Sequence, residues 1–202
     1  MDGRALHKIG YGLYVITTKS SDGEADNGCI INTAVQVTDT PKAISVTVNK
    51  ANLTHDMIKE TGEFNLSIIS EEAPFSIFEH FGFHSGRDVN KFDGDVAAGR
   101  SENGIYYISR YVNSYLCCKV KATVDLGSHT MFIADVSYSE VLSDIPSMTY
   151  AYYHENVKPK AETKSVSGYR CKICNYVYEG ETLPDDYICP ICKHSADDFE
   201  KI

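Results

Sequence analysis

Four of the seven cysteines lie in the last 34 residues, as two pairs with the same internal spacing. Two residues separate Cys171 from Cys174, two separate Cys189 from Cys192, and fourteen residues lie between the pairs. Two tight turns of this kind can present four thiolates to one tetrahedral metal ion. A segment this short, with few large aliphatic residues, cannot bury enough apolar surface to fold without a cross-link. The spacing therefore predicts a small metal-stabilised unit.

The spacing by itself leaves the metal open between zinc and iron. A closed zinc ribbon would fold the segment and have no further chemistry. Aromatic residues flank the cysteine pairs, however, and an apolar shell around a metal tunes its reduction potential. Zinc has no redox chemistry for such a shell to tune, so the aromatic residues favour iron. These aromatic residues are Tyr169, Tyr176, Tyr178, Tyr187 and Phe199.

The segment around the cysteines resembles rubredoxin, and this resemblance implies a single iron that cycles between the ferric and ferrous states. Two departures stand out: the stretch between the cysteine pairs is shorter than in free rubredoxins, and Tyr187 stands where tryptophan is usual. Asn175 and Lys193 also occupy positions where glycine is usual, and asparagine adopts a positive φ more easily than lysine. The motifs that carry the resemblance are Tyr169-x-Cys171-x-x-Cys174, Pro184-Asp185-Asp186, Cys189-Pro190-x-Cys192 and Asp198-Phe199-Glu200.

Composition divides the 202 residues into three predicted parts. Residues 1–155 are long and apolar enough for one sizeable domain. Residues 156–167 are polar, contain Pro159 and are predicted to be a linker. Residues 168–202 form the predicted metal unit. The net charge of −9 disfavours nucleic acid as a partner.

The location of the protein is predicted to be cytoplasmic. We find no apolar run long enough to span a bilayer, and the first residues lack a basic start followed by a cleavable apolar stretch. Cys29, Cys117 and Cys118 lie outside the metal motif, and an odd cysteine count favours packed thiols in a reducing compartment over a disulfide framework.

The first 155 residues are predicted to be mainly β-strands. Val120, Ala122, Val124 and Leu126 alternate with polar residues, as in a strand half buried against a core. Residues 29–37, 43–48, 63–69 and 131–141 are further β-branched candidates. Two segments look helical: Leu53–Thr61, ended by Gly62, and residues 73–83, with a row of Phe75, Phe78 and Phe81. This pattern favours a β-barrel with a few helices over a doubly wound sheet.

A phosphate site is one interpretation of the residues around the first predicted helix. Asn49 and Lys50 end a strand, and Asn52 and Thr54 lie at the helix N-terminus, where backbone amides attract anions. An ordinary capped helix is the alternative.

Two further segments carry candidate residues. Arg87 and Lys91 lie in the loop SGRDVNKF, which by itself is typical of a solvated turn. His129 follows Gly127 at a strand start, where a hydrogen-bonded cap is the alternative to a catalytic role.

The order of these segments resembles the flavin reductase-like FMN-binding split barrel over nearly the whole of residues 1–155. The resemblance implies that FMN is held by two strands, a helix start and the SGRDVNKF loop, with His129 as the catalytic position where nicotinamide stacks. Ser128 stands where that family usually has an acid. The implied FMN contacts are Asn27, Cys29, Ile30, Ile31, Asn32, Thr33, Gln36, Asn49, Lys50, Thr54, His55, Arg87 and Lys91.

A flavin barrel followed by a rubredoxin-like segment resembles the high-molecular-weight rubredoxins of strictly anaerobic bacteria. This resemblance implies electron transfer from NADH or NADPH through FMN to iron, and then to a partner such as a flavodiiron NO or O₂ reductase. It also implies a homodimer, for which the phenylalanine row offers an apolar face. Two alternatives are a flavin reductase that releases reduced flavin and carries a structural zinc ribbon, and a non-catalytic flavin- and metal-binding module.

Overall fold

The computed structural model describes residues 5, 8–94, 96, 98–159 and 168–202. The chain divides into two compact units, Met1–Lys158 and Pro159–Ile202, which we call the body and the tail. Most of the predicted linker, residues 160–167, lies outside the described residues, so the linker stays a prediction. No helix in the described part of the chain is both long and apolar enough to cross a bilayer.

Strands dominate the described part of the body, and helices are few and short. The strands are β1 (Tyr14–Lys19), β2 (Asp26–Ile31), β3 (Ala34–Asp39), β4 (Lys42–Asn49), β5 (Glu63–Ile69), β6 (Ala98–Arg100), β7 (Tyr106–Ile108), β8 (Val112–Asp125) and β9 (His129–Val141). The helices are α1 (Leu53–Thr61), α2 (Phe75–Phe78) and α3 (Tyr150–Tyr152), with π-helical turns at Glu79–Phe83 and Tyr153–Val157.

Seven of these strands form one antiparallel sheet in the order β2-β1-β5-β8-β9-β4-β3. β2 and β3 lie at opposite edges of this sheet, yet only Asn32 and Thr33 separate them in the chain. A flat sheet would hold its outer strands roughly 29 Å apart, whereas two intervening residues span no more than roughly 11 Å. The sheet must therefore curl until its edges meet, which confirms the predicted mainly β barrel.

Two apolar cores fill the body. One lies inside the barrel and the other lies under α2 and the π-helical turn that follows it. Phe78 and Phe81 are 3% and 2% exposed within this second core, so two of the three rings in the phenylalanine row are covered by their own chain, and only Phe75 is partly exposed. The largest buried side chains of the barrel core are Ile16, Ile58, Phe64, Leu66 and Phe132.

The helix prediction is confirmed at α1 and is incomplete elsewhere. α1 ends at Gly62, whose φ of 71° is left-handed, as predicted. The second predicted helix begins after Pro74 and becomes π-helical from Glu79. A third helical segment, Tyr150–Val157, was missed because it is short and rich in tyrosine, which has low helix propensity. Thr149 starts it by accepting a hydrogen bond from the Tyr152 amide at 3.1 Å.

The strand predicted at residues 119–126 forms, but most of its apolar side is not covered by the body. β5 pairs with β8 only as far as Lys119, and beyond that point β9 alone runs beside β8. Val124 and Leu126 are consequently 44% and 50% exposed. The expected burial holds for Val120, which packs against the barrel core, and is wrong for the three exposed residues Ala122, Val124 and Leu126, which we call the hairpin stripe.

The tail consists of short elements around its cysteines. The three strands form a small sheet in the order β11-β10-β12. They are β10 (Tyr169–Cys171), β11 (Val177–Tyr178) and β12 (Phe199–Lys201), with a 3₁₀ turn at Ala196–Asp198.

Candidate functional site

The four cysteine sulfurs of the tail converge on one point, as the spacing predicts. All four Sγ atoms lie within 4.8 Å of one another. The Sγ atoms of Cys171 and Cys192 are 3.5 Å apart, and those of Cys174 and Cys189 are 3.4 Å apart. The hydrogen bond with Cys192 lowers the pKa of the Cys174 thiol to about 5 and raises the pKa of the Cys192 thiol in return. Four sulfur donors at this separation fit one tetrahedral iron ion.

Matching backbone turns hold the two cysteine pairs. The Asn175 amide donates to the Cys171 carbonyl at 2.9 Å, and the Lys193 amide donates to the Cys189 carbonyl at 3.0 Å. Asn175 and Lys193 both take a left-handed conformation, with φ of 63° and 61°. Asparagine visits this region readily, whereas a lysine there costs roughly 1 kcal/mol.

The aromatic shell predicted around the cysteines is present. Cys171 and Cys189 are fully buried, and Cys174 and Cys192 are half-buried. The Tyr187 ring packs against Tyr178 and Phe199 at centroid distances of 4.7 and 5.5 Å. Its hydroxyl donates to the Tyr176 hydroxyl at 3.3 Å, which raises the pKa of Tyr187 to about 12. This shell excludes water from part of the cluster, as an electron-transfer metal requires.

A second polar cluster lies in the body where α1 begins. The Asn27 side-chain amide donates to Thr54 Oγ1 at 3.2 Å, while Asn27 Oδ1 is buried and has no hydrogen-bond partner among the described residues. A Cβ on Gly86 would lie 2.3 Å from that oxygen, so only glycine lets the 84–92 loop approach so closely. A buried oxygen without a partner costs stability unless a ligand or water satisfies it. We call Asn27, Lys50, Thr54, Asp56 and Arg87 the barrel-end cluster.

Asp56 lies at the centre of a hydrogen-bond chain in this cluster. Its Oδ1 is 2.9 Å from His55 Nδ1, and its Oδ2 accepts from Arg87 Nη2 at 2.8 Å. These two interactions hold the pKa of Asp56 below its usual range, the His55 hydrogen bond contributing most. On its other side, the His55 ring is 2.8 Å from Thr130 Oγ1, and His55 is 4% exposed. Both ring nitrogens of His55 thus have protein partners.

The end of β4 lies beside the start of β9. Asn49 pairs with His129 in the sheet, and the Lys50 amide donates to the Ser128 carbonyl at 3.0 Å. The Lys50 ammonium lies 2.7 Å from Asp125. Ser128 Oγ is 2.8 Å from His129 Nδ1, and partial burial lowers the pKa of His129, so the imidazole is held neutral. The structure therefore brings His129 to the strand that also presents Asn49 and Lys50.

Other residues predicted as FMN contacts make hydrogen bonds to groups of the protein itself. The Lys91 ammonium is buried and donates to the carbonyls of Gly28 and Phe81 at 2.8 and 3.0 Å, which holds the loop against β2. Burial lowers the pKa of this lysine. Asn52 caps nothing with its side chain and instead lies 3.6 Å from Cys29 Sγ.

The remaining predicted contacts lie along β2 and β3. Ile31 is part of the barrel core, and Ile30 packs against the second core. Thr33 donates to the Thr47 carbonyl at 2.8 Å beside Asn32, and Gln36 is exposed and donates to the Thr38 carbonyl at 3.3 Å. Their roles toward a flavin stay predictions.

Asp56 is the functional candidate that sequence reasoning missed. An acid in the first turn of a helix is common, because it interacts favourably with the helix dipole. The sequence gives no sign that this acid is hydrogen-bonded to a loop 31 residues away.

Comparison with known proteins assigns each of the two units to a protein family. The flavin reductase like domain family matches residues 6–161, and the rubrerythrin, rubredoxin-like domain family matches residues 169–200. The chain therefore belongs to the flavin reductase-like family and carries a rubredoxin-like domain after that domain. This confirms an oxidoreductase with a flavin-binding domain and an iron-binding, four-cysteine domain.

Individual relatives are similar over the same ranges. The chain is 38% identical to the high molecular weight rubredoxin of Moorella thermoacetica, across 100% of both chains. It is 37% identical to the ferric-chelate reductase (NAD(P)H) of Archaeoglobus fulgidus, across 79% of this chain and 93% of that one. Among solved structures, the NADH:FAD oxidoreductase of Streptomyces globisporus covers 72% of this chain and 84% of its own, with a TM-score of 0.65 and 22% identity, which supports the fold.

Proposed function

We propose that the protein takes a hydride from NADH or NADPH into FMN and passes the electrons singly through the tail iron to a separate redox protein. The observation that carries this proposal is the presence on one chain of a four-thiolate cluster suited to a redox metal and of the barrel-end cluster, whose buried Asn27 Oδ1 lacks a partner among the described residues and is open to a ligand. When bound, a flavin supplies both two-electron chemistry with nicotinamide and one-electron chemistry with a metal. The NAD(P)H in the name of the Archaeoglobus relative supports the choice of reductant.

The barrel-end cluster supports FMN through its match to a ribityl phosphate. Asn52 leaves the first-turn amides of α1 without a side-chain cap, and such amides bind phosphate oxygens. Lys50 and Arg87 supply cationic side chains at this end of the barrel, each paired with an aspartate of the protein. The buried Asn27 Oδ1, which has no partner in the described part of the protein, can accept a hydrogen bond from a ribityl hydroxyl.

His129 is proposed to orient the nicotinamide rather than to move a proton. Hydride transfer needs no general acid or base, and the lowered pKa keeps this imidazole uncharged at neutral pH. A neutral ring adds no positive charge that would repel the cationic, oxidised nicotinamide. The Ser128 hydroxyl, 2.8 Å from Nδ1, fixes the ring orientation.

We propose that the body forms a homodimer through the hairpin stripe. A strand that alternates apolar and polar residues gains stability only when its apolar side is covered, and one chain leaves Val124 and Leu126 exposed. A second copy of the chain supplies that cover by symmetry. Replacing both residues with serine should give monomers in sedimentation, while dimers of that variant would contradict the assignment.

The electron acceptor and the location follow from the sequence resemblance and stay proposals. A flavodiiron NO or O₂ reductase is the proposed acceptor, and the cytoplasm is the proposed compartment. Electron transfer from the reduced protein to a purified flavodiiron protein, measured with and without the tail iron, tests the first of these.

Metal and flavin content test the proposed function most simply. Anaerobically purified protein should contain one iron and one FMN per chain and show the red colour of a ferric thiolate centre over the yellow of flavin. Zinc in protein made with ample iron would instead favour a flavin reductase with a structural zinc ribbon.

Lys50→Ala tests the phosphate assignment. Loss of a hydrogen bond to a charged group should weaken FMN by about 1.5–3 kcal/mol and leave riboflavin, which lacks the phosphate, nearly unchanged. Lys59→Ala removes an exposed lysine from the last turn of α1 and serves as the control. Equal losses for both ligands would show that Lys50 is structural.

A further inference from the structure

We propose that Asp56 is a positioning residue that presets the flavin-phosphate site by holding Arg87 and His55 in place. This inference rests on the proposed function, because it assigns a role toward the FMN phosphate. Asp56 itself touches no ligand in this account. Its effect passes through the two side chains to which its carboxylate is bonded.

The geometry gives each carboxylate oxygen its own partner. Oδ2 accepts from the Arg87 guanidinium at 2.8 Å, and Oδ1 accepts from His55 Nδ1 at 2.9 Å. Arg87 is 51% exposed, so without Asp56 the guanidinium would sample many rotamers. Holding it beside the start of α1 removes that entropy cost from ligand binding.

The loop that carries Arg87 is fixed at two points. Lys91 attaches its far end by donating to the carbonyls of Gly28 and Phe81. Asp56 attaches the middle through Arg87, and Gly86 allows the backbone to approach Asn27. The Asp56–Arg87 contact differs from the Lys91 contact because both of its side chains are half exposed. Its guanidinium is also a group that a phosphate can bind.

The second arm of Asp56 reaches the strand that carries His129. An ionised carboxylate only accepts hydrogen bonds, so His55 Nδ1 must carry a proton. On the other side of the ring, Nε2 is hydrogen-bonded with Thr130 Oγ1 at 2.8 Å. Thr130 follows His129 in β9. The same carboxylate therefore ties the phosphate loop to the strand of the proposed nicotinamide contact.

Electrostatics and positioning predict opposite effects for the same substitution. Asp56 is a negative charge in the first turn of the helix whose N-terminus faces the proposed phosphate. If charge alone mattered, Asp56→Asn would remove a repulsion and tighten FMN binding. If Asp56 positions Arg87 and His55, an asparagine side chain cannot replace it, because the amide has one acceptor oxygen where the carboxylate has two.

The test compares FMN and riboflavin affinities of the full-length, iron-loaded protein at low salt. We expect Asp56→Asn to weaken FMN about two- to fivefold, the upper scale of one exposed charged pair, and to leave riboflavin nearly unchanged. Glu60→Gln, an equal charge change on the same helix, should leave both unchanged. FMN binding that is tighter or unchanged in Asp56→Asn, or a loss equal for both ligands, would overturn the positioning role.

A double-mutant cycle with Arg87→Gln provides a second test that does not depend on one variant. Because Asp56 acts partly through Arg87, the double variant should lose clearly less FMN affinity than the sum of the two single losses. Additive losses would overturn the inference. Failure of the proposed function has a different signature, because wild-type protein would then not prefer FMN to riboflavin and Lys50→Ala would have no effect. A normal wild-type preference without an Asp56 effect overturns the inference alone.

Discussion

The body and the tail place their candidate cofactor residues in different ways. The body surrounds its site with side chains from β2, β4, α1, the 84–92 loop and β9, which lie far apart in sequence. The tail supplies all four ligands from two turns of the same design. The body can fold around its two apolar cores before any ligand binds, whereas the fully buried part of the tail core is little more than Cys171, Cys189 and Phe199. A scaffold stabilised by its core can build a site from distant residues, and a scaffold stabilised by metal must build it locally.

The largest expected effect is the loss of the tail on removal of one ligand. Cys189→Ser should abolish iron binding and unfold the tail, because metal binding supplies folding free energy of about 10 kcal/mol or more in small four-ligand sites. FMN binding by the body should be unchanged. Metal analysis and flavin fluorescence on the same sample measure both. Loss of FMN together with iron would break the distinction between the two units.

A large-to-small substitution in the barrel core should destabilise the body and leave the tail intact. Phe64→Ala removes a fully buried ring from the barrel and should lower the free energy of unfolding of the body by about 3–5 kcal/mol. The ferric absorbance of the tail should persist at temperatures where the body of the variant has already unfolded. A tail that loses its iron colour at the same temperature as the body would show that the two units do not fold independently.

The smallest effect concerns the two turns of the tail. Lys193→Gly should stabilise the iron-loaded tail by at most about 1 kcal/mol. Glycine removes the strain of a left-handed lysine backbone, but it also raises the conformational entropy of the unfolded chain, which offsets part of the gain. Asn175→Gly should change stability less, since asparagine tolerates its φ of 63°. Denaturant unfolding followed by the loss of iron absorbance compares the two variants. Destabilisation by Lys193→Gly alone would mean that the lysine side chain makes an important contact.

The difference between local and long-range contacts also explains which features could be predicted from the sequence. The metal cluster follows from the spacing of Cys171, Cys174, Cys189 and Cys192, because each pair needs only a local turn. In the body, α1 was predicted to the residue because Gly62 ends it locally. Barrel closure depends on the order of seven strands, which hydrophobic alternation does not encode.

The less local features of the body were predicted poorly for the same reason. The Asp56–Arg87 contact joins a helix to a loop 31 residues away, and no motif marks it. The phenylalanine row was interpreted as a free face, but Phe78 and Phe81 pack against strands from distant parts of the chain. The hairpin stripe has a clear alternation, yet where β5 ends beside β8 was not visible in the sequence.

The central claim is that the flavin of the body delivers nicotinamide electrons to the iron of the tail. The most direct measurement is anaerobic rapid mixing of NADH with iron-loaded protein, with and without FMN, followed by the ferric thiolate absorbance. With FMN bound, the ferric colour should disappear, with up to two iron centres reduced for each NADH oxidised; without FMN it should persist. Equal bleaching in FMN-free protein, or a flavin that is reduced while the iron stays ferric, would contradict the account.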